Sequence, residues 1–211
     1  LTLSTTWPIE QAMPGLAHVN YVSDPDEWLV LLRVPSVWRV LVPAHEESEE
    51  FLRSDEKKNA VFNGIMGDGA AVETQHRTIY RVHQRVAKQF RNGRVLLVGD
   101  AAHLNNPLGG FGMNSGIHDA FNACGKLVDI IKGGASQDLL DLYDRQRRKV
   151  TFDFTQRQTM ENMEAMRAGQ GETHAKREAA MRALLENDEA RRAYMLRQAM
   201  FESPTQAAAI N

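Results

Sequence analysis

The chain has 211 residues, 43% hydrophobic and 25% charged, with 25 Lys+Arg against 27 Asp+Glu and a formal net charge of −2. Such a composition is that of a globular protein able to bury about 70% of the surface its unfolded chain exposes. The balanced charge argues against a nucleic-acid or polybasic membrane partner, and no apolar run approaches the roughly 18 residues a spanning helix needs. The one cysteine, Cys124, cannot form an internal disulfide and gives no support to a metal site, so a reducing, cytoplasmic setting is expected. The sequence opens on Leu1 with no signal-like segment, and we expect it to begin inside a longer chain.

The first half reads as strands. Ala17 to Val22 is short and apolar-rich, and Ser23-Asp24-Pro25-Asp26 supplies turn chemistry. Glu27 to Val34 and Ser36 to Val42 are dense in Val, Leu and Trp, which predicts two neighbouring strands or one bent strand. Trp28, Trp38, Arg33 and Arg39 lie here, where core and cross-strand packing is the commoner role. Phe51, Leu52, Val61, Phe62 and Ile65 recur at helical spacing, predicting one or two helices between Glu46 and Met66. Val72 to Val82 reads as a further strand, while Gln84 to Arg91 is ambiguous.

Gly93-Arg94-Val95-Leu96-Leu97-Val98-Gly99-Asp100 is the strongest local signal. A continuous apolar run between glycines fits a strand buried on both faces, as in a parallel sheet. Residues 93–116 hold six of the 15 glycines. Glycine allows positive φ and close approach of backbone to a bulky group, and is otherwise costly. Asn114 or Ser115 is expected to cap a helix whose apolar stripe is Ile117, Phe121, Cys124, Val128 and Ile131, with Lys132-Gly133-Gly134 as its stop. That stripe would make Cys124 a small core residue. Ser136 begins another helical stretch through Leu139, Leu142, Tyr143, Val150 and Phe154 towards Met166. Thr173 to Met200 should be one or two more helices, whose methionines fill core more often than they form an interface.

Residues 93–120, GRVLLVGDAAHLNNPLGGFGMNSGIHDA, resemble the Gly-Asp fingerprint of the FAD-dependent aromatic hydroxylases, the para-hydroxybenzoate hydroxylase-like class A flavoprotein monooxygenases. Gly99, Asp100, Ala101, Ala102, His103, Pro107, Gly109, Gly110, Gly112, Met113, Asn114, Gly116, Asp119 and Ala120 match in order and spacing. The Trp28–Pro43 and Leu139–Arg148 segments are similar to the same family. The opening Gly-x-Gly-x-x-Gly turn and the Asp-Gly segment of that family are not in this sequence, so the chain resembles the C-terminal half of such an enzyme.

The resemblance implies a mixed α/β fold. Residues 1–90 would be the substrate-domain sheet and helices, 91–135 the C-terminal part of a Rossmann-like FAD-binding domain, and 136–211 a helical tail. It implies FAD as cofactor, NADH or NADPH as electron donor, and hydroxylation of a small aromatic, phenolic substrate with O₂. The cofactor contacts it implies are Gly99, Asp100, Pro107, Gly109, Gly110, Gly112, Met113 and Asn114. Asp100 would accept hydrogen bonds from ribityl or ribose hydroxyls, where the residues alone leave local turn capping equally open. Met113 and Asn114 would serve mainly through backbone N–H groups at a helix N-terminus. His103 and His118 have the pKa for acid–base work, but the family uses the position of His103 structurally more often than chemically. Related flavin chemistry (epoxidation or reduction) and a non-catalytic interaction module are the alternatives. Without parallel neighbours the strand from Arg94 to Val98 would be an open edge, favouring self-association.

Overall fold

The computed structural model describes residues 1–24, 27–44, 46–67, 72–167 and 172–211, the side chains of 172–174 excepted. The turn residues Pro25 and Asp26 lie outside the described residues. The chain divides into two compact units, Leu1–Arg81 with Ala165–Ala175, and Val82–Glu164 with Lys176–Asn211.

The first unit is built on a five-stranded antiparallel sheet. Its strands are β1 (Thr2–Thr5), β2 (Val19–Val22), β3 (Leu29–Arg33), β4 (Trp38–Leu41) and β5 (His76–Thr78), in the order β2-β3-β4-β1-β5. Leu3 pairs with Val40 and Val40 with Leu31, so the inward side chains of three strands meet in one layer. Two helices, α1 (Glu49–Arg53) and α2 (Asp55–Met66), add Leu52, Val61, Phe62 and Ile65 to that core. Ser48 and Ser54 cap them by accepting from the N–H groups of Phe51 and Lys57, and Gly67 ends α2 at φ 73°. The expected strands and helices lie here, joined by β1, which no pattern announced because Thr2, Ser4 and Thr5 are polar. Trp38 is core, with its indole N–H donating to Glu10 at 2.7 Å and Arg33 stacked 5.6 Å above the ring.

The second unit contains short antiparallel pairs and most of the helices. β6 (Arg85–Val86) pairs with β9 (His103–Leu104), and β7 (Arg91–Asn92) with β8 (Val95–Leu96). A long helix, α3 (Phe111–Gly133), packs on α4 (Asp138–Val150). A π turn over Thr151–Gln156 continues α4 into α5 (Arg157–Arg167), and α6 (Glu172–Glu186), α7 (Asp188–Gln198) and α8 (Glu202–Ala208) follow. Met200 is buried here and Met166 in the first unit, but Met160, Met181 and Met195 are exposed, so the C-terminal methionines are divided between core and surface.

Three expectations for this unit need correction. The run from Arg94 to Val98 is not a doubly buried parallel strand. It is one arm of a hairpin turned by Gly93 at φ 59° and paired with β7, and Val95 is 62% exposed. Parallel pairing needs a parallel neighbour, and among the described residues the one partner of β8 is the antiparallel β7. The α3 stripe is also inverted. Ile117, Phe121, Cys124, Val128 and Ile131 are exposed, Phe121 at 84% and Ile131 at 76%. The buried face is Phe111, Ser115, Asp119 and Ala123. Finally, Asn114 and Ser115 do not cap α3. Phe111 seats the first turn by packing edge-on against Phe154, with centroids 5.4 Å apart, and Gly110 stands at the N-cap with φ 69°. The helix does end as expected, at Gly134 with φ 66°.

Candidate flavin site

Gly99, Asp100 and Ala101 form a single 3₁₀ turn directly after the β7–β8 hairpin. Gly99 sits at φ 60°, a left-handed conformation natural to glycine. Its Cα lies so close to α3 that a Cβ on Gly116 would come within 3.1 Å of it. The turn therefore rests backbone to backbone on the second turn of the helix. Asp100 is exposed, and among the described residues no hydrogen bond or ion pair engages its carboxylate.

Beneath the turn, one buried carboxylate joins four segments. Asp119 Oδ2 accepts from the Gly99 N–H at 3.1 Å and lies 2.8 Å from His103 Nε2, while Oδ1 accepts from Arg147 Nε at 2.6 Å. Asp119, His103 and Arg147 are essentially inaccessible to solvent. Burial by itself would push the Asp119 carboxyl up, but the His103 hydrogen bond and the Arg147 guanidinium hold it below the usual carboxylate range. Burial and the nearby Arg147 lower the pKa of His118, and burial and Asp119 raise that of Tyr143. Helix α4 also anchors the hairpin. The Tyr143 hydroxyl donates to the Leu97 carbonyl at 2.6 Å, Asp144 accepts from the Phe90 N–H at 2.6 Å, and Asp141 pairs with Arg91 at 2.5 Å.

The loop from Asn105 to Gly110 is pinned from below by amides. Gln84 accepts from the Asn106 N–H at 3.0 Å, Asn106 Nδ2 donates to the Thr159 carbonyl at 2.9 Å, and Gln156 Nε2 to the Leu104 carbonyl at 2.9 Å. Asn162 Nδ2 reaches the Leu108 carbonyl at 3.2 Å. The π turn aligns part of this row, with Gln156 ending it and Thr159 one turn later. A loop held at Asn106 and Leu108 by fixed side chains keeps its shape, which is unlike a slack glycine-rich segment.

Of the residues singled out in the sequence, Asp100, Pro107, Gly110, Met113 and Asn114 are exposed and Gly99, Gly109 and Gly112 half-buried. The glycines divide by purpose. Gly109, at φ 99°, admits no Cβ because Phe111 Cε2 would be 2.3 Å and Asn162 Nδ2 2.8 Å away. Gly99 and Gly116 allow the turn to rest on α3. These three serve the packing of the protein itself, so close approach to a ring is not the reason for all of the clustering. Gly110 faces open space, and a Cβ on Gly112 would meet nothing nearer than Asn105 Oδ1 at 3.6 Å. No side chain caps the N-terminus of α3. An open glycine strip, a positive helix end and an unengaged carboxylate make a cradle suited to a flat, hydroxyl-bearing, negatively polarised ligand. The residues fit a flavin dinucleotide.

Arg147 was missed as a site element. Leu140, Tyr143, Arg147 and Val150 share the buried face of α4. An arginine at an apolar register position demands a buried acid, and that signal was available in the sequence.

A mixed α/β frame with such a cradle has the chemistry a flavin-binding protein needs. Residues 31–158 match the model of the FAD binding domain family, and the chain belongs to that family, with FAD as its cofactor. It is 38% identical over 149 residues to a para-nitrophenol 4-monooxygenase of Pseudomonas sp. (strain WBC-3), covering 68% of this chain and 37% of that protein. It is 51% identical over 153 residues to a 3-(3-hydroxy-phenyl)propionate/3-hydroxycinnamic acid hydroxylase of Mycolicibacterium smegmatis (strain ATCC 700084 / mc(2)155), covering 70% of this chain and 27% of that protein. The crystal structure of the p-nitrophenol 4-monooxygenase PnpA of Pseudomonas putida DLL-E4 superposes with a TM-score of 0.82 at 30% identity, covering 96% of this chain and 51% of that one. The chain thus spans about half or less of the relatives it matches. No helix among the described residues is long and apolar enough to cross a membrane.

Proposed function

We propose that the chain supplies part of the flavin site of an FAD-dependent monooxygenase that hydroxylates a small phenol, in a cytoplasmic setting. The observation that carries this is the open cradle at the uncapped end of α3 beside the unengaged Asp100. Bound FAD supplies the redox chemistry, drawing electrons from NADH or NADPH and activating O₂. The protein residues bind and orient. Asp100 accepts hydrogen bonds from ribityl or ribose hydroxyls. Gly99 and Gly109 set the backbone on either side, and from Pro107 to Gly112 the loop passes alongside the ring system with Leu108 and Phe111 buried in the protein and Gly110 open. The free N–H groups of the first turn of α3, that of Met113 among them, favour negative charge on the ring edge they face, and Asn114, whose side-chain amide donates to the Gly110 carbonyl at 2.9 Å, holds that turn.

Residues 1–90 are proposed as the substrate side, 91–135 as the flavin side and 136–211 as the helical support. Phenolic substrates are proposed because the relatives are named for p-nitrophenol and 3-(3-hydroxy-phenyl)propionate. The test is NAD(P)H oxidation by the full-length protein over a panel of substituted phenols, with product identified by mass. Oxidation stimulated by a phenol and coupled to gain of one oxygen supports the reading. A protein that holds FAD and oxidises NAD(P)H but adds oxygen to none of the panel sinks the phenol-hydroxylase assignment.

A further inference from the structure

We propose that Asp119 and Arg147 are positioning residues for the flavin, acting through the turn that presents Asp100. The proposal rests on the flavin reading of that turn. Asp119 Oδ2 accepts from the N–H of Gly99, the residue immediately before Asp100. It is fixed in turn by Arg147 from α4 and by His103 from β9, so four segments are set relative to one another by two oxygens.

Each restraint bears on the turn. Gly116 blocks Gly99 from moving towards α3, because their backbones are already in contact. The Asp119 carboxylate holds the Gly99 N–H and thereby the left-handed φ of 60° that follows a strand-like Val98. Rotation at Gly99 would redirect Asp100, whose carboxylate has no other anchor among the described residues. Arg147 keeps Asp119 ionised and aimed, since its guanidinium also reaches the Ser115 carbonyl, at 3.5 Å, one turn earlier on the same helix. A cluster kept for packing alone would be replaceable by apolar side chains, often without loss of stability. A cluster that aims a turn would lose flavin affinity on such replacement even where stability is kept.

The experiment is a double-substitution cycle on FAD affinity in the full-length protein, read by flavin fluorescence, with the melting temperature of the apoprotein measured alongside. The substitutions are Asp100→Ala and Asp119→Asn, with Arg147→Lys in place of Asp119→Asn if the latter does not fold. Arg147→Lys keeps the charge but loses the guanidinium geometry. Alone, Asp119→Asn or Arg147→Lys is expected to weaken FAD binding about tenfold. In the Asp100→Ala background, either should change it less than about twofold, because the carboxylate it positions is gone. A merely structural role would lower the melting temperature but leave the two affinity losses additive. Additive losses overturn the positioning role while leaving the flavin reading intact. Unchanged affinity in Asp100→Ala alone overturns the flavin reading and the proposal with it.

Discussion

Replacing Arg147 with Met leaves the Asp119 carboxylate buried with only His103 and the Gly99 N–H for company. Arg147 and Asp119 are at most 1% exposed and 2.6 Å apart, so neither can exchange its partner for water. Coulomb attraction at that separation is about 6 kcal/mol for an effective dielectric near 20. The desolvation of the two ions offsets much of this, and removing one partner of a buried pair typically costs about 3–5 kcal/mol. For a chain of this size that corresponds to roughly 6–20 °C in melting temperature. The double variant Asp119→Leu with Arg147→Met removes both charges and should recover more than half of the loss, since no ion is left stranded. Thermal and urea unfolding of the single and double variants provide the comparison. A loss below about 1 kcal/mol in Arg147→Met, or a double variant less stable than the single, would refute the view of this pair as a buried ionic clamp.

Gly109→Ala should destabilise the fold by about 1–3 kcal/mol, because its Cβ meets Phe111 and Asn162 and its φ is 99°, whereas Gly112→Val should spare the melting temperature and abolish tight FAD binding. Urea denaturation and flavin titration of the two variants distinguish packing glycine from cradle glycine. Asp119, with its pKa lowered in the folded state, contributes stability that is complete above the unfolded value of 3.8 and is lost as pH falls through the lower folded value. Asp119→Asn should therefore flatten the acid limb of the stability–pH curve below about pH 4, and an unaltered acid limb contradicts the assignment. Residues 1–211 expressed alone should self-associate through the exposed α3 stripe, with Phe121→Lys and Ile131→Lys together reducing it. Sedimentation velocity reads this, and a monomer at tens of micromolar counts against it.

Much of the first unit was legible because its strands bury one face, and Leu29, Leu31, Trp38 and Val40 announce that face by composition. The glycine fingerprint was legible because conformations such as those of Gly99, Gly109 and Gly110 suit few other residues. Less was visible where two faces competed. The 3.6-residue period in α3 located the stripe from Ile117 to Ile131 correctly, but a period cannot say whether the stripe or its opposite face meets the rest of the unit. The face that does so carries Ser115 and Asp119, because the requirement there is to satisfy Arg147 and His103 rather than to exclude water. Likewise the apolar run Val95–Val98 has strand composition, yet its pairing depends on partners far away in sequence, and here the nearest is its own hairpin. The amide row from Gln84 to Asn162 left no local trace, since its members come from segments up to 78 positions apart.

The claim on which the rest depends is that FAD lies along the Asp100 turn and the open end of α3. A crystal structure of the full-length protein with FAD bound tests it most directly. The account predicts the Asp100 carboxylate within hydrogen-bond distance of a ribityl or ribose hydroxyl, and the flavin ring against the backbone of Gly110 and Gly112 with its edge facing the first N–H groups of α3. A flavin bound elsewhere, with Asp100 in solvent and the Gly110–Asn114 backbone touching protein alone, would contradict it.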